Sequence, residues 1–237
     1  MKKLLSGNEA LARGALEARI EIACGYPGTP SSEILENVSK YKEIYSEWSV
    51  NEKVAMDAAA GAAYSGRRSL VTTKQVGMNV MSDSLFYTAY TGAEAALVVV
   101  TADDPGLFSS QNEQDNRYYA RFASLPCFEP VSAQEAKDMT REALLLAREL
   151  QQPVMLRTTT RVNHLRGPVT FGALGEPAPI VPFERNPMRF VPVPAVARGR
   201  HRSLLEIMEK ARAFAESSRF SREYGPEGCR LGIIASG

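Results

Sequence analysis

The strongest constraint on how this chain folds is the regular alternation of helix-like and strand-like segments along most of its length. Short apolar strands need neighbours and amphipathic helices need a face to cover. A strict alternation of the two is met by a parallel sheet with crossover helices on both faces. Residues 6–19 carry a helical pattern and Ile20–Cys24 is a short apolar strand. Gly25-Tyr26-Pro27-Gly28-Thr29-Pro30 is a loop before a helix that starts near Ser31 or Ser32. Further strands are expected at Ile44–Trp48, Ser69–Thr73, Ala96–Thr101, Cys127–Pro130 and Pro153–Thr158. Helices are expected at Asn51–Tyr64, Met78–Tyr90 and Ser132–Leu150, the last opened by the capping box Ser132-x-x-Glu135. The fold class is therefore α/β, a parallel sheet flanked by helices on both faces.

After this unit the pattern breaks. The window from Gly167 to Pro194 holds seven prolines, at 168, 177, 179, 182, 187, 192 and 194, and no helical period. Such a stretch is a linker or an extended wrapping arm. A helix is expected over Ser203–Ser217, and Arg230–Gly237 has the pattern of a fresh strand running into a glycine turn. The organisation expected is a first domain over 1–165, an arm over 166–200, and over 201–237 a helix and the first strand of a second α/β unit, as in the front part of a longer polypeptide.

Composition narrows the function classes. Twenty-eight Lys and Arg against 27 Asp and Glu leave a net charge of +1, so there is no long-range field to gather nucleic acid or an anionic membrane. The apolar run Ala95–Val100 is far short of the roughly 20 residues of a membrane helix. The start Met1-Lys2-Lys3-Leu4-Leu5 meets Ser6-Gly7-Asn8-Glu9 before a signal-peptide core develops, so the expected location is the cytoplasm. Cys24, Cys127 and Cys229 are few and widely spaced, which suits reduced thiols, and without a CxxC no metal site is expected in this chain. His164 and His201 lie in polar segments and read as surface residues.

Three clusters carry the polar chemistry. Glu52 heads a helix whose next positions on the same face are Ala55, Met56, Ala59 and Ala60, so an acid leads an apolar stripe. Such a carboxylate can share a proton with a ligand nitrogen, but Ser49-Val50-Asn51-Glu52 is also a capping box in which the acid only closes the helix start. The loop 25–32 offers Thr29, Ser31 and Ser32 to an anion, or the same residues simply form a turn with an N-cap. The polar run Ser109–Arg117, with Gln111 and Asn112, and the turn Lys74–Asn79 each follow a strand, where open parallel sheets bind ligands; a solvated helix face is the alternative for the former.

Four strings in order, Gly25–Glu33, Trp48–Ala55, Lys74–Asn79 and Ser109–Asp115, resemble the alpha subunits of the indolepyruvate:ferredoxin oxidoreductases. The resemblance runs from about Gly7 to His164. It implies the pyrimidine-binding domain of the thiamine diphosphate-dependent 2-oxoacid:ferredoxin oxidoreductases. Carried over, Glu52 matches the glutamate that hydrogen-bonds the aminopyrimidine and favours its imino tautomer. The resemblance further implies cofactor contacts from Tyr26, Pro27, Gln75, Gly77 and Asn79, and substrate contacts from Thr29, Gln111, Asn112 and Arg121. It implies oxidative decarboxylation of indolepyruvate and other aryl pyruvates to the acyl-CoA, with a beta subunit, coenzyme A and ferredoxin as partners. Another 2-oxoacid oxidoreductase, a thiamine-dependent decarboxylase subunit or a non-catalytic docking subunit are the alternatives. The family's Gly-Asp-Gly diphosphate motif is missing, as are its cluster cysteines. The magnesium, the diphosphate site and the [4Fe-4S] clusters are therefore expected on the remainder of the alpha chain or on a partner subunit, and the chain is not expected to be active alone.

Overall fold

The computed structural model describes residues 1–179, 183–226, 228 and 230–235. Six strands form one parallel sheet: β2 (Ile22–Gly25), β3 (Tyr45–Trp48), β4 (Ser69–Lys74), β5 (Leu97–Asp103), β6 (Cys127–Phe128) and β7 (Val154–Thr159), in the order β3-β2-β4-β5-β7-β6. The helices before and between them are α1 (Gly7–Glu17), α2 (Ser32–Val38), α3 (Glu52–Tyr64), α4 (Gly77–Thr91), α5 (Arg117–Ala123) and α6 (Ala133–Leu150), and a short α7 (Thr160–His164) follows β7. The expected α/β architecture thus forms, with the strands and helices read from the sequence within a few residues of their reading; α5, in a stretch read only as polar, is an addition.

Alternation along the strands builds the two halves of the core. Ala23, Leu70, Val98 and Leu156 face α1, α2 and α6. Their neighbours Cys24, Val71, Val99 and Met155 face α3, α4 and α5. Strand β5 is buried along its whole length, as a central parallel strand must be. The chain leaves β2 toward β3 on one side and then crosses to β4 on the other, so the direction in which parallel strands are added reverses between β2 and β4. The loops at the carboxyl ends of these strands part there, which opens a crevice. Cys24 and Cys127 are free thiols, and Cys229 lies outside the described residues.

Three segments depart from the sequence reading. The arm is not wholly irregular: β8 (Arg166–Thr170) pairs antiparallel with β1 (Lys2–Ser6), Lys2 opposite Thr170 and Ser6 opposite Arg166. Pro168 is tolerated because a two-stranded ribbon has free edges. A short helix, α8 (Pro187–Phe190), is followed by α9 (Pro194–Ser217), nine residues longer at its start than expected, since Pro194 occupies a first-turn position where the missing N–H costs nothing. The strand expected over Arg230–Gly237 is not formed where it is described: residues 231–235 are exposed and carry no strand pairing, and Ser236 and Gly237 lie outside the described residues. No described helix is long and apolar enough to cross a membrane.

Candidate functional site

Glu52 is set by its helix. Asn51 is the N-cap of α3, its Oδ1 accepting from the Val54 N–H at 2.9 Å. The Ser49 hydroxyl has no partner, so the capping-box alternative for Glu52 is excluded. Glu52 is the first residue of α3, partly buried, and its carboxylate makes no hydrogen bond or ion pair with a described residue. It crosses instead to the start of α4. A Cβ built on Gly77 would collide with Glu52 Oε1 and Thr73 Oγ1 and lie 2.7 Å from Glu52 Cγ, so the acid rests on the bare Cα of the residue that opens α4. Two helix starts, each with unpaired N–H groups, meet at this carboxylate.

The neighbouring loops converge on it. In the β2–α2 loop Ser31 Oγ donates to Gly28 O at 2.7 Å and Gly28 N donates to Ser32 Oγ at 2.8 Å. Both serines therefore close the turn, and the anion-binding reading is left with Thr29 alone, which is exposed. Gly28 must be a glycine for a packing reason: a Cβ there would sit 2.9 Å from Lys74 Cβ. Lys74 Nζ in turn donates to Ser109 O, and Gln75 Nε2 donates to Asn112 O at 3.3 Å. The three loops expected to meet, after β2, β4 and β5, are thus joined at one end of the sheet.

Other expected site residues separate into two groups. Gln75 is fully buried and its Oε1 has no partner, while Gly77 touches Glu52. Tyr26, Pro27, Asn79, Gln111 and Asn112 are exposed on the same loops or the first turn of α4, with Asn79 Oδ1 accepting from Tyr119 at 2.6 Å. Arg121 is exposed on α5, and no hydrogen bond or ion pair ties it to the loop cluster.

Sequence reasoning missed the frame beneath these loops. Asp103, fully buried at the end of β5, accepts from Arg157 Nε at 2.9 Å and from the Asn116 N–H at 3.0 Å. Asn116 Nδ2 then donates to Gln75 O at 3.2 Å and Thr101 Oγ1 at 2.6 Å. Burial works against the Arg157 charge, but Asp103 and Glu129 outweigh it and hold its pKa above the ordinary value. Burial also opposes ionisation of Asp104, yet bonds from Ser110, Thr160 and the Ser109 N–H hold its carboxyl below the usual range. A charged Arg157 inside an apolar strand was the available signal, since a buried cation needs a buried acid.

The chain is similar to known proteins along most of its length. Residues 13–216 match the family described as pyruvate flavodoxin/ferredoxin oxidoreductase, thiamine diphosphate-binding. The indolepyruvate oxidoreductase subunit IorA of Methanothermobacter thermautotrophicus is 51% identical, over 100% of this chain and 39% of the relative. That of Pyrococcus abyssi is 46% identical, over 99% of this chain and 37% of the relative. A 2-oxoglutarate synthase subunit KorA from M. thermautotrophicus is 32% identical over 70% of this chain and 46% of the relative. The chain thus spans less than half the length of these relatives. The fold is also that of a solved 2-oxoglutarate:ferredoxin oxidoreductase from Magnetococcus marinus, with TM-score 0.70 and 17% identity over 90% of this chain and 45% of that chain. The match across most of the chain settles its kinship: it belongs to the pyruvate flavodoxin/ferredoxin oxidoreductase, thiamine diphosphate-binding family.

Proposed function

We propose that this chain is the pyrimidine-binding part of a cytoplasmic 2-oxoacid:ferredoxin oxidoreductase that converts indolepyruvate and other aryl pyruvates to the acyl-CoA and passes the electrons to ferredoxin. The observation that carries the reading is the Glu52 carboxylate, unpaired by protein and held against Gly77 at the switch point of the sheet. The residues present fit the pyrimidine half of thiamine diphosphate: an acid without a partner, a buried Gln75 Oε1 without a donor, and a bare glycine backbone that admits close approach. When bound, that cofactor supplies a carbon nucleophile for attack on the 2-oxoacid carbonyl. Glu52 holds a proton at the pyrimidine ring nitrogen and so sets its tautomer. Gln75, Gly77 and Asn79, with Tyr26 and Pro27, would hold the ring, and Thr29, Gln111 and Asn112 would meet the substrate.

The diphosphate, its magnesium and the [4Fe-4S] clusters belong, in this reading, to the rest of the polypeptide or to a partner subunit, since residues 1–165 contain no Gly-Asp-Gly and no CxxC. Residues 166–217 then serve as an arm that ends in α9. Identities of 46–51% with indolepyruvate subunits, against 32% with a 2-oxoglutarate subunit, favour aryl pyruvates over other 2-oxoacids. Turnover by the assembled enzyme tests this directly. The expected result is reduction of ferredoxin that requires thiamine diphosphate, coenzyme A and an aryl pyruvate. A preference for 2-oxoglutarate would move the chain to the neighbouring substrate class, and turnover without thiamine diphosphate would contradict the reading.

A further inference from the structure

The crevice needs a cation if a 2-oxoacid is to be held there, and the described residues supply few that are free. Lys53 is bound to Asp83 at 3.0 Å and to Ser84 Oγ at 2.8 Å. Arg117 is bound to Asp115 at 2.7 Å, and Arg157 to Asp103 at 2.9 Å. Arg121 lies exposed on α5, untied to the loops. Lys74 differs from all of these. It is the last residue of β4, partly buried, and its stem lies on Gly28, beside Thr29. Its ammonium donates to the neutral Ser109 carbonyl and has no ion-pair partner among the described residues. An ammonium has three N–H donors, so two remain. The nearby Asp104 carboxylate makes no ion pair with Lys74: its oxygens accept from Ser109 N, Ser110 Oγ and Thr160 Oγ1 at 2.7 Å each, and the Lys74 charge acts on it only at longer range, helping to hold its carboxyl below the usual value.

We propose that Lys74 binds the carboxylate of the 2-oxoacid substrate, with the Thr29 hydroxyl beside it. The proposal rests on the functional reading above and adds the residue that recognises the anionic end of the substrate. Lys74 is three residues before Gly77, against which Glu52 lies, so the cation and the proton-holding acid flank one end of β4. The reacting carbonyl is adjacent to the carboxylate in every 2-oxoacid. Anchoring the one therefore brings the other toward the pyrimidine end of the cofactor.

Lys74 also ties two loops together, and the test has to separate that tether from anion binding. Lys74→Gln keeps a donor for the Ser109 carbonyl and removes the charge. In the assembled enzyme, competitive inhibition by 3-indolepropionate is compared with inhibition by its primary amide, alongside steady-state turnover of indolepyruvate. The wild type is expected to prefer the acid. Lys74→Gln is expected to lose that preference and to raise KM for the aryl pyruvate on the order of 10–100-fold, the scale of one charge-assisted contact, with the KM for coenzyme A unchanged. Lys74→Arg is expected to restore most of the preference. Equal weakening of acid and amide would show a tether alone and overturn the proposal, as would an unchanged preference. A wild-type enzyme that turns over no 2-oxoacid would instead overturn the functional reading.

Discussion

At the scale of single residues, one position bears on the chemistry and one on stability, and each makes a prediction. Gly77 is a glycine because the Glu52 carboxylate and the Thr73 hydroxyl occupy the space of a Cβ. The Glu52 carboxylate is the movable end, whereas Thr73 is fully buried and stiff at χ1, so Gly77→Ala is expected to displace Glu52 while the fold, as judged by circular dichroism, is kept. Turnover in the assembled enzyme should then fall about 100-fold, the cost of misplacing a reacting group by about 1 Å. Glu17 makes a prediction about stability. It is fully buried at the end of α1, where Lys137 donates to it at 2.9 Å, Arg13 at 2.9 Å and the Gly172 N–H at 2.7 Å. Burial opposes its charge, but these three donors outweigh burial and hold its pKa below the ordinary carboxylate value. A lowered folded pKa gives stability that is present above the unfolded pKa and lost as pH falls through the folded one. Glu17→Gln removes the buried charge that Lys137 and Arg13 share, leaving Lys137 with Asp138 at 2.8 Å, and is expected to cost about 1.5–3 kcal/mol in urea unfolding at neutral pH. The gap from wild type should close below the carboxylate range, and a gap independent of pH would contradict the assignment.

At the scale of elements, the sheet was legible and the arm was not. Strands β4, β5 and β7 are dominated by Val, Leu and Thr and bounded by turn residues, which leaves few alternatives once helices are seen between them. β1 and β8 were hidden because each is too short to show a period and their pairing spans most of the chain. The start of α9 was hidden because prolines break a helix in its interior but open one at its first turn. Glu52 stood out as an acid on an apolar stripe, yet Ser49 and Asn51 both suit a cap, and only the Asn51–Val54 bond separates them. The arm docks α8 and α9 on the end of α4, where Arg200 donates to Tyr90 O at 2.7 Å and Thr91 O at 3.1 Å, and Arg189 to Thr91 O at 3.0 Å. These guanidinium groups satisfy carbonyls that a helix end leaves unpaired. Arg200→Ala is expected to lower stability by about 1.5–3 kcal/mol in denaturant unfolding without changing the KM for the 2-oxoacid. A changed KM would place the arm in the site after all.

At the scale of the whole molecule, the account holds that these residues build one half of a cofactor site. Glu52, Gln75 and Gly77 offer a pyrimidine hydrogen bonds and close packing, worth about 0.5–1.5 kcal/mol per neutral bond plus apolar burial. That gain has to exceed an association cost of at least about 4 kcal/mol. By calorimetry with magnesium present, this chain alone is therefore expected to bind thiamine diphosphate more weakly than micromolar, and micromolar affinity would mean that a diphosphate site lies within it. The central claim, that Glu52 holds the proton at the pyrimidine, is tested most directly by turnover of the Glu52→Gln enzyme in its assembled form. The amide keeps the size of the side chain, so the circular dichroism spectrum should be unchanged, while thiamine-dependent oxidation of the aryl pyruvate should fall by about 100-fold or more. Turnover within a few-fold of wild type would contradict the account.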